Sequence, residues 1–203
     1  LKKDSCASKD YKIKGPFETI ARLGKYSMTK RPSEDDHKAA YLNAVMWTIT
    51  GDKAYAEKSI EILNSYSSSL KSIDSTDNDA PLCASLQGCT LANAAELIKH
   101  TYPEVNRQDV EQWENMFYKV FIPILETFFI VQPYTNGNWG AAATKAYLAF
   151  GIFLEDESLY NKAIDFFFNG NDNGTIKNYI AENGQCQESG RDQDHVMFGL
   201  GNM

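Results

Sequence analysis

Apolar positions recur at three- and four-residue spacing through most of the chain, and the runs that carry them fall into pairs. The first clear run is Ala39-Ala40 with Leu42 to Trp47, about four turns of helix behind the acidic start Ser33-Glu34-Asp35-Asp36. Thr50-Gly51-Asp52 stops it and caps a second helix over Lys53–Leu70, whose Ala56, Ile60, Leu63 and Tyr66 share one face. The two predict a helical hairpin with a tight turn, with Trp47 and Ile60 in its core. Upstream, residues 1–16 are polar and Lys-rich, end in Gly15-Pro16, and read as an extended lead-in. Phe17–Lys30 reads as a short helix broken by Pro32.

The pairing then recurs. A Ser/Asp/Asn-rich loop over 72–78 leads to a helix near 86–100, and a longer helix over 109–129 must absorb Pro123 as a kink. The loop 132–139 leads to 141–154, Glu155-Asp156-Glu157 turns the chain into 158–168, and a Gly/Asn-rich loop with room for a short extended piece precedes a last helix near Gly190. Two hairpins also match in sequence without gaps: Asp52 to Glu61 aligns with Asp156 to Asp165, with Asp, Lys and Ile coinciding. The first helices of the pairs begin near residues 35, 85, 140 and 190, a period of about 50 that marks a solenoid or closed toroid of hairpins. The fold class is therefore all-α, an incomplete (α/α) toroid. Its inner helices are expected over 35–50, 85–100, 140–154 and 190–203, rich in small residues such as Ala94-Ala95 and Ala141-Ala142-Ala143.

If each pair runs inner helix then outer helix, every loop entering an inner helix lies on one rim. Those loops are RPSEDDH, NDAPLCASLQG, PYTNGNWG and GQCQESGRDQDH, and convergent polar loops at one rim make a cleft. The last is the densest, with Gln187, Glu188, Arg191, Gln193 and His195 ahead of the apolar Val196-Met197-Phe198. It offers a fixed cation, amide donors and a titratable imidazole to one ligand, although acidic residues in RDQDH also suit the first turn of any solvated helix. In the third loop Asn138 fits a helix N-cap and Trp139 a core cover, but amides at a helix start also hold a carboxylate and an indole face carries a sugar ring. Asn136 belongs to the same turn, Tyr134 is the nearest phenol, and His37 stands on the first rim loop.

Composition narrows the partners. A net charge of -7 gives no clustered basic surface for nucleic acid, yet a few basic residues in one cleft can still draw an anionic ligand. No apolar run reaches the length of a membrane span, and LKKDSCASKDYK carries no hydrophobic signal region. Three separated histidines without His-x-x-x-His spacing give no zinc site, and no phosphate loop or G-x-S-x-G elbow implies a cofactor. Cys83 and Cys89 flank a short stretch and could pair or stay free.

NGNWG before an Ala-rich helix, GQCQESGRDQDH running into GLG, and TGD-x-x-YA upstream resemble the alginate-lyase-like (α/α)-toroid polysaccharide lyases, over about residues 16–203. The resemblance implies cleavage of an anionic, uronic-acid polysaccharide by β-elimination, without metal or cofactor, in a secreted or periplasmic setting. It implies that Asn138 and Arg191 neutralise the C5 carboxylate, that His195 acts as base or neutraliser, and that a Tyr protonates the leaving O4, a role the resemblance leaves unassigned and for which Tyr134 is the candidate. It implies Asn136 and Trp139 in substrate binding, and Gln187, Glu188, Gln193 and His37 are expected there from their place in the rim loops. Relatives often place a Tyr shortly after this Arg or His, where this chain has Met197 and Phe198. The domain is expected over 17–203, truncated at its C-terminal end, since a closed toroid needs more hairpins. A toroid glycoside hydrolase is the first rival and needs two carboxylates that straddle a bond. A non-catalytic glycan- or protein-binding helical scaffold is the second.

Overall fold

The computed structural model describes residue 1, residues 3–130 and residues 137–203. Helix α1 (Lys30–Thr50) and helix α2 (Lys53–Ser69) form the first hairpin. Gly51 closes α1 with φ of 69°, a left-handed conformation that a side chain resists, and its N–H bonds to the Trp47 carbonyl. Asp52 then opens α2 by accepting the Ala54 N–H at 3.1 Å. Helix α3 (Ala80–Thr101) is followed by α4 (Arg107–Met116), a π turn over Phe117–Phe121, and α5 (Ile122–Ile130). Helix α6 (Gly137–Phe153) pairs with α7 (Glu157–Asn169), a short α8 (Ile176–Tyr179) follows, and α9 (Gln193–Asn202) ends the described chain.

The matched sequence segments do the same work. Asp156 caps α7 through the Ser158 and Leu159 N–H groups at 3.0 and 3.1 Å, as Asp52 caps α2. Helices α1, α3, α6 and α9 form one layer in that order, each packed on the next, while α2 and α7 cover α1 and α6 from outside. This is an all-α array of hairpins with an inner and an outer row. Inner helices approach closely because their contact positions are small: Ala39, Ala40 and Ala44 on α1, Ala92 and Ala95 on α3, and Ala142, Ala143 and Ala146 on α6 are all buried. Large aromatics fill the space toward the outer row. Phe117 of the π turn lies 5.1 and 5.4 Å from the rings of Phe150 and Phe153 on α6.

Several local expectations change. Residues 17–29 form no α-helix: β1 (Thr19–Ile20) pairs in parallel with β2 (Ser72–Ile73), and a 3-10 turn over Gly24–Thr29 follows. Pro32 does not break a helix but sits in the first turn of α1, where its missing N–H has no intrahelical role. The acidic stretch is not a cap either. Asp36 is buried and accepts the hydroxyls of Tyr11 and Tyr66 at 2.8 and 2.7 Å and the N–H groups of Lys14 and Gly15 at 2.9 and 2.8 Å. This carboxylate joins α1 and α2 to the lead-in, which carries a 3-10 turn at Ser5–Ala7 and a further turn at 9–10 ahead of an irregular stretch. Pro123 is absorbed by the π turn before it: the Ile122 N–H reaches back to the Phe117 carbonyl, and the helix continues. All four cysteines are free thiols, and Cys83 and Cys89 lie along α3 itself.

Trp47 and Ile60 pack on the core from its margin, and Ile62 and Leu63 take its fully buried centre. Ile62→Ala is therefore expected to cost about 2–5 kcal/mol in urea unfolding, and Ile60→Ala clearly less. Equal losses at the two positions would mean that the α1–α2 packing differs from this one.

Candidate active site

The starts of α6 and α9 meet the start of α3 around an open cleft of about 480 Å³. Asn138 and Trp139 come from α6, and Arg191, Asp194 and His195 come from the loop into α9 and its first turn. Leu82, Leu86 and Phe198 supply an apolar floor. The chain reaches this geometry through local devices. Gly190 has φ of 91°, which turns the loop directly ahead of Arg191 and is strained for any L side chain. Inside, a Cβ on Gly199 would overlap the Tyr179 hydroxyl, so the GLG motif lets α9 lie against the buried Tyr179.

Charge in the cleft is held by carboxylates behind the cationic groups. Glu188 is only 3% exposed and accepts from Arg191 Nη1 at 3.3 Å, a fixed tether beneath a half-exposed guanidinium. Asp192 caps α9 by accepting the His195 N–H at 2.8 Å, and its other oxygen lies 2.6 Å from His195 Nδ1. The His195 backbone N–H, then its imidazole and the Arg191 cation, hold the Asp192 carboxyl below the usual carboxylate range. With Nδ1 engaged, Nε2 is the ring nitrogen without a hydrogen bond among the described residues. Asn138 is 2% exposed, and its Oδ1 has no hydrogen-bond partner among the described residues.

Two further cleft residues were not singled out from sequence. Arg22 lines the opposite wall, with Nε 3.3 Å from Asp79 Oδ2 and Nη1 3.1 Å from Glu34 Oε1. Its place is set by tertiary pairing. The β1–β2 ladder brings its segment beside the start of α3, and the Arg22 and Leu23 N–H groups bond to the buried Asp77 at 2.7 and 2.8 Å. Asp79 also lines the cleft and does lie in a recognised rim loop, but a lone acid before a helix carries no distinguishing signal.

The remaining expected residues fall elsewhere. Gln187 is exposed and bonds through Nε2 to the Asn178 carbonyl at 2.7 Å, fastening the loop. Gln193 is exposed at the start of α9, and neither it, Gln187 nor Glu188 is among the cleft's wall residues. His37 lies buried in an adjoining cavity. Tyr134 and Asn136 lie outside the described residues. None of the described residues lining the cleft is a tyrosine. Among the described residues, no group of three or more His, Cys, Asp and Glu is arranged to hold a metal ion.

His37 carries a pH signature. Burial pushes its pKa down to about 3, against a smaller opposing pull from the Gln87 side chain, so the folded state holds it neutral. The unfolded chain takes up a proton near the ordinary pKa of 6.5. This contribution is therefore intact above pH 6.5 and is lost as pH falls toward 3. Asp172, pushed up to about 6 by burial, works in the opposite sense, losing stability as pH rises through its folded value. Substitution separates the two. Between pH 7 and 4.5 the stability difference between the protein and His37→Leu is expected to move by about 2.5 kcal/mol against the histidine. Parallel pH profiles from urea unfolding would sink this reading.

Residues 20–200 match the family model described as Alginate lyase, and the chain belongs to that family. No curated protein and no solved structure matches it. Membership supports polysaccharide lyase activity and a polysaccharide substrate. Among the described residues, no helix is long and apolar enough to cross a membrane.

Proposed function

Taking membership of the alginate lyase family as premise, we propose that this chain cleaves a uronic-acid polysaccharide by β-elimination in the cleft between the starts of α3, α6 and α9. One observation carries the reading: a tethered guanidinium and an Asp-oriented imidazole line the same cleft as a buried amide and an indole. The C5 proton of a uronate is acidic only if the charge spreading into its carboxylate is stabilised. Arg191 and Asn138 supply that stabilisation through guanidinium and amide N–H groups. His195 Nε2 takes the proton, and Asp192 on Nδ1 stabilises the imidazolium that results. The C4–O4 bond then breaks, its electron pair leaves with O4, and a C4–C5 double bond forms.

Tyr134 is the phenol proposed to protonate O4, Asn136 a second amide, and Trp139 the platform for a sugar face. Gln187 and Gln193 are proposed to meet more distant parts of the polymer, and Glu188 to fix Arg191 from below. The toroid curvature, a domain over 17–203 and a secreted or periplasmic location fit the same family reading. Glu188, Asp192 and Asp79 each serve a cation, which leaves Asp194 as a cleft carboxylate without a second free acid to face it across a bond among the described residues, and this favours elimination over hydrolysis.

The test is incubation with a panel of uronans, alginate and glucuronan included. Elimination yields an unsaturated uronate that absorbs in the ultraviolet. New reducing ends without that absorbance would establish hydrolysis, and neither signal would leave a binding scaffold.

A further inference from the structure

The cleft continues past Arg22. Arg22 and Leu86 also line a second cavity of about 380 Å³, whose other walls are Lys30, Glu34, His37, Gln87 and Thr90. Its polar groups are unusual. His37 is 1% exposed and Gln87 3%, and although the Gln87 side chain lies close enough to act on the imidazole, among the described residues neither His37 ring nitrogen nor Gln87 Oε1 makes a hydrogen bond of good geometry. The Gln87 amide nitrogen has only the Cys83 sulfur, at 3.4 Å. Buried side chains this polar are nearly always partnered, and here three such atoms border one cavity. The neutral imidazole of His37 offers one donor and one acceptor, as a hydroxyl-bearing ligand requires. Lys30, half-buried in the first turn of α1, makes no ion pair among the described residues. By contrast, Arg22 is engaged by Glu34 and Asp79 and forms the partition between the cavities.

We propose that this cavity is a second sugar subsite, taking the neighbouring acidic unit of the same polymer. Lys30 meets its carboxylate, and His37 with Gln87 reads its ring hydroxyls. The assignment rests on the polyuronate substrate proposed above. It deepens that reading by giving the cleft a length: two adjoining units are gripped, one on each side of Arg22. Specificity among uronans then comes from His37 and Gln87, because a hydroxyl of the wrong configuration leaves buried polar atoms unmatched.

The experiment uses size-fractionated oligouronates, with kinetics read by ultraviolet absorbance and binding by calorimetry. Lys30→Ala is expected to raise KM, and to weaken binding, about tenfold for oligomers long enough to span both cavities. The shortest cleaved oligomer and kcat should change little. Gln87→Leu should give the same length dependence, with its fold verified by circular dichroism. Elimination by the unaltered protein, with Lys30→Ala unchanged or equally impaired at every length, would overturn the subsite alone. Length-dependent binding lost in Lys30→Ala, without ultraviolet absorbance from the unaltered protein, would uphold the subsite and sink the elimination reading. A protein that neither binds nor cleaves oligouronates would overturn both.

Discussion

His195→Ala is expected to lower kcat by about 10²–10⁴-fold with KM little changed and the circular dichroism of the fold intact. The imidazole is half-buried on the first turn of α9, and its Nδ1 lies 2.6 Å from Asp192. That contact fixes the ring and leaves Nε2 to accept a proton. A base contributes only as the proton moves, so its loss belongs in kcat. Asp192→Asn should give a smaller loss, because the ring keeps a neighbour but the imidazolium loses its counter-charge. Imidazole added to the His195→Ala protein should restore part of the rate. A rise in KM with kcat untouched would make His195 a substrate contact and move the base elsewhere.

Arg191→Ala is expected to lower kcat by about 10²–10³-fold, since the guanidinium acts on charge that grows in the transition state. The alanine variant has a second effect that must be separated. Glu188 is 3% exposed and its Oε1 already lacks a partner among the described residues, so removing Arg191 strips the tether from a buried carboxylate. Arg191→Lys avoids this by keeping a positive charge near Glu188, while a point charge replaces the planar fork that grips a carboxylate. The lysine variant should therefore unfold near the unaltered protein and still lose an intermediate share of kcat. If both variants raise only KM, Arg191 anchors the ground state and the assignment to chemistry fails.

What the sequence reveals here is what local rules control. Asp52 and Asp156 stand one residue ahead of helices in matching segments, and both are caps, so the hairpin repeat was visible from residue types alone. The inner helices begin at 30, 80, 137 and 193, close to the inferred period, and the starts of α3, α6 and α9 line one cleft. Asn138, Trp139, Arg191 and His195 could therefore be grouped before any coordinates. Arg22 could not. It reaches the cleft through a two-residue ladder and the Asp77 carboxylate, both supplied more than fifty residues away. Asp36 was misread for a related reason: its acidic neighbourhood signals a helix start, and only the distant Tyr11 and Tyr66 reveal an interior acceptor. Glu188 looked like a ligand contact because sequence does not distinguish a carboxylate facing solvent from one buried under its own arginine.

The Asp36 junction also sets how the molecule opens. Its two oxygens serve the Tyr66 hydroxyl of α2 and, at once, the Tyr11 hydroxyl and two amides of the lead-in. Detaching the lead-in would expose a carboxylate that the packed hairpin otherwise keeps dry. Segments outside the packed helices ordinarily open first. Here the amides of Lys14 and Gly15 are expected to exchange with solvent only as Asp36 is released, with the lead-in and the first hairpin opening as one cooperative unit.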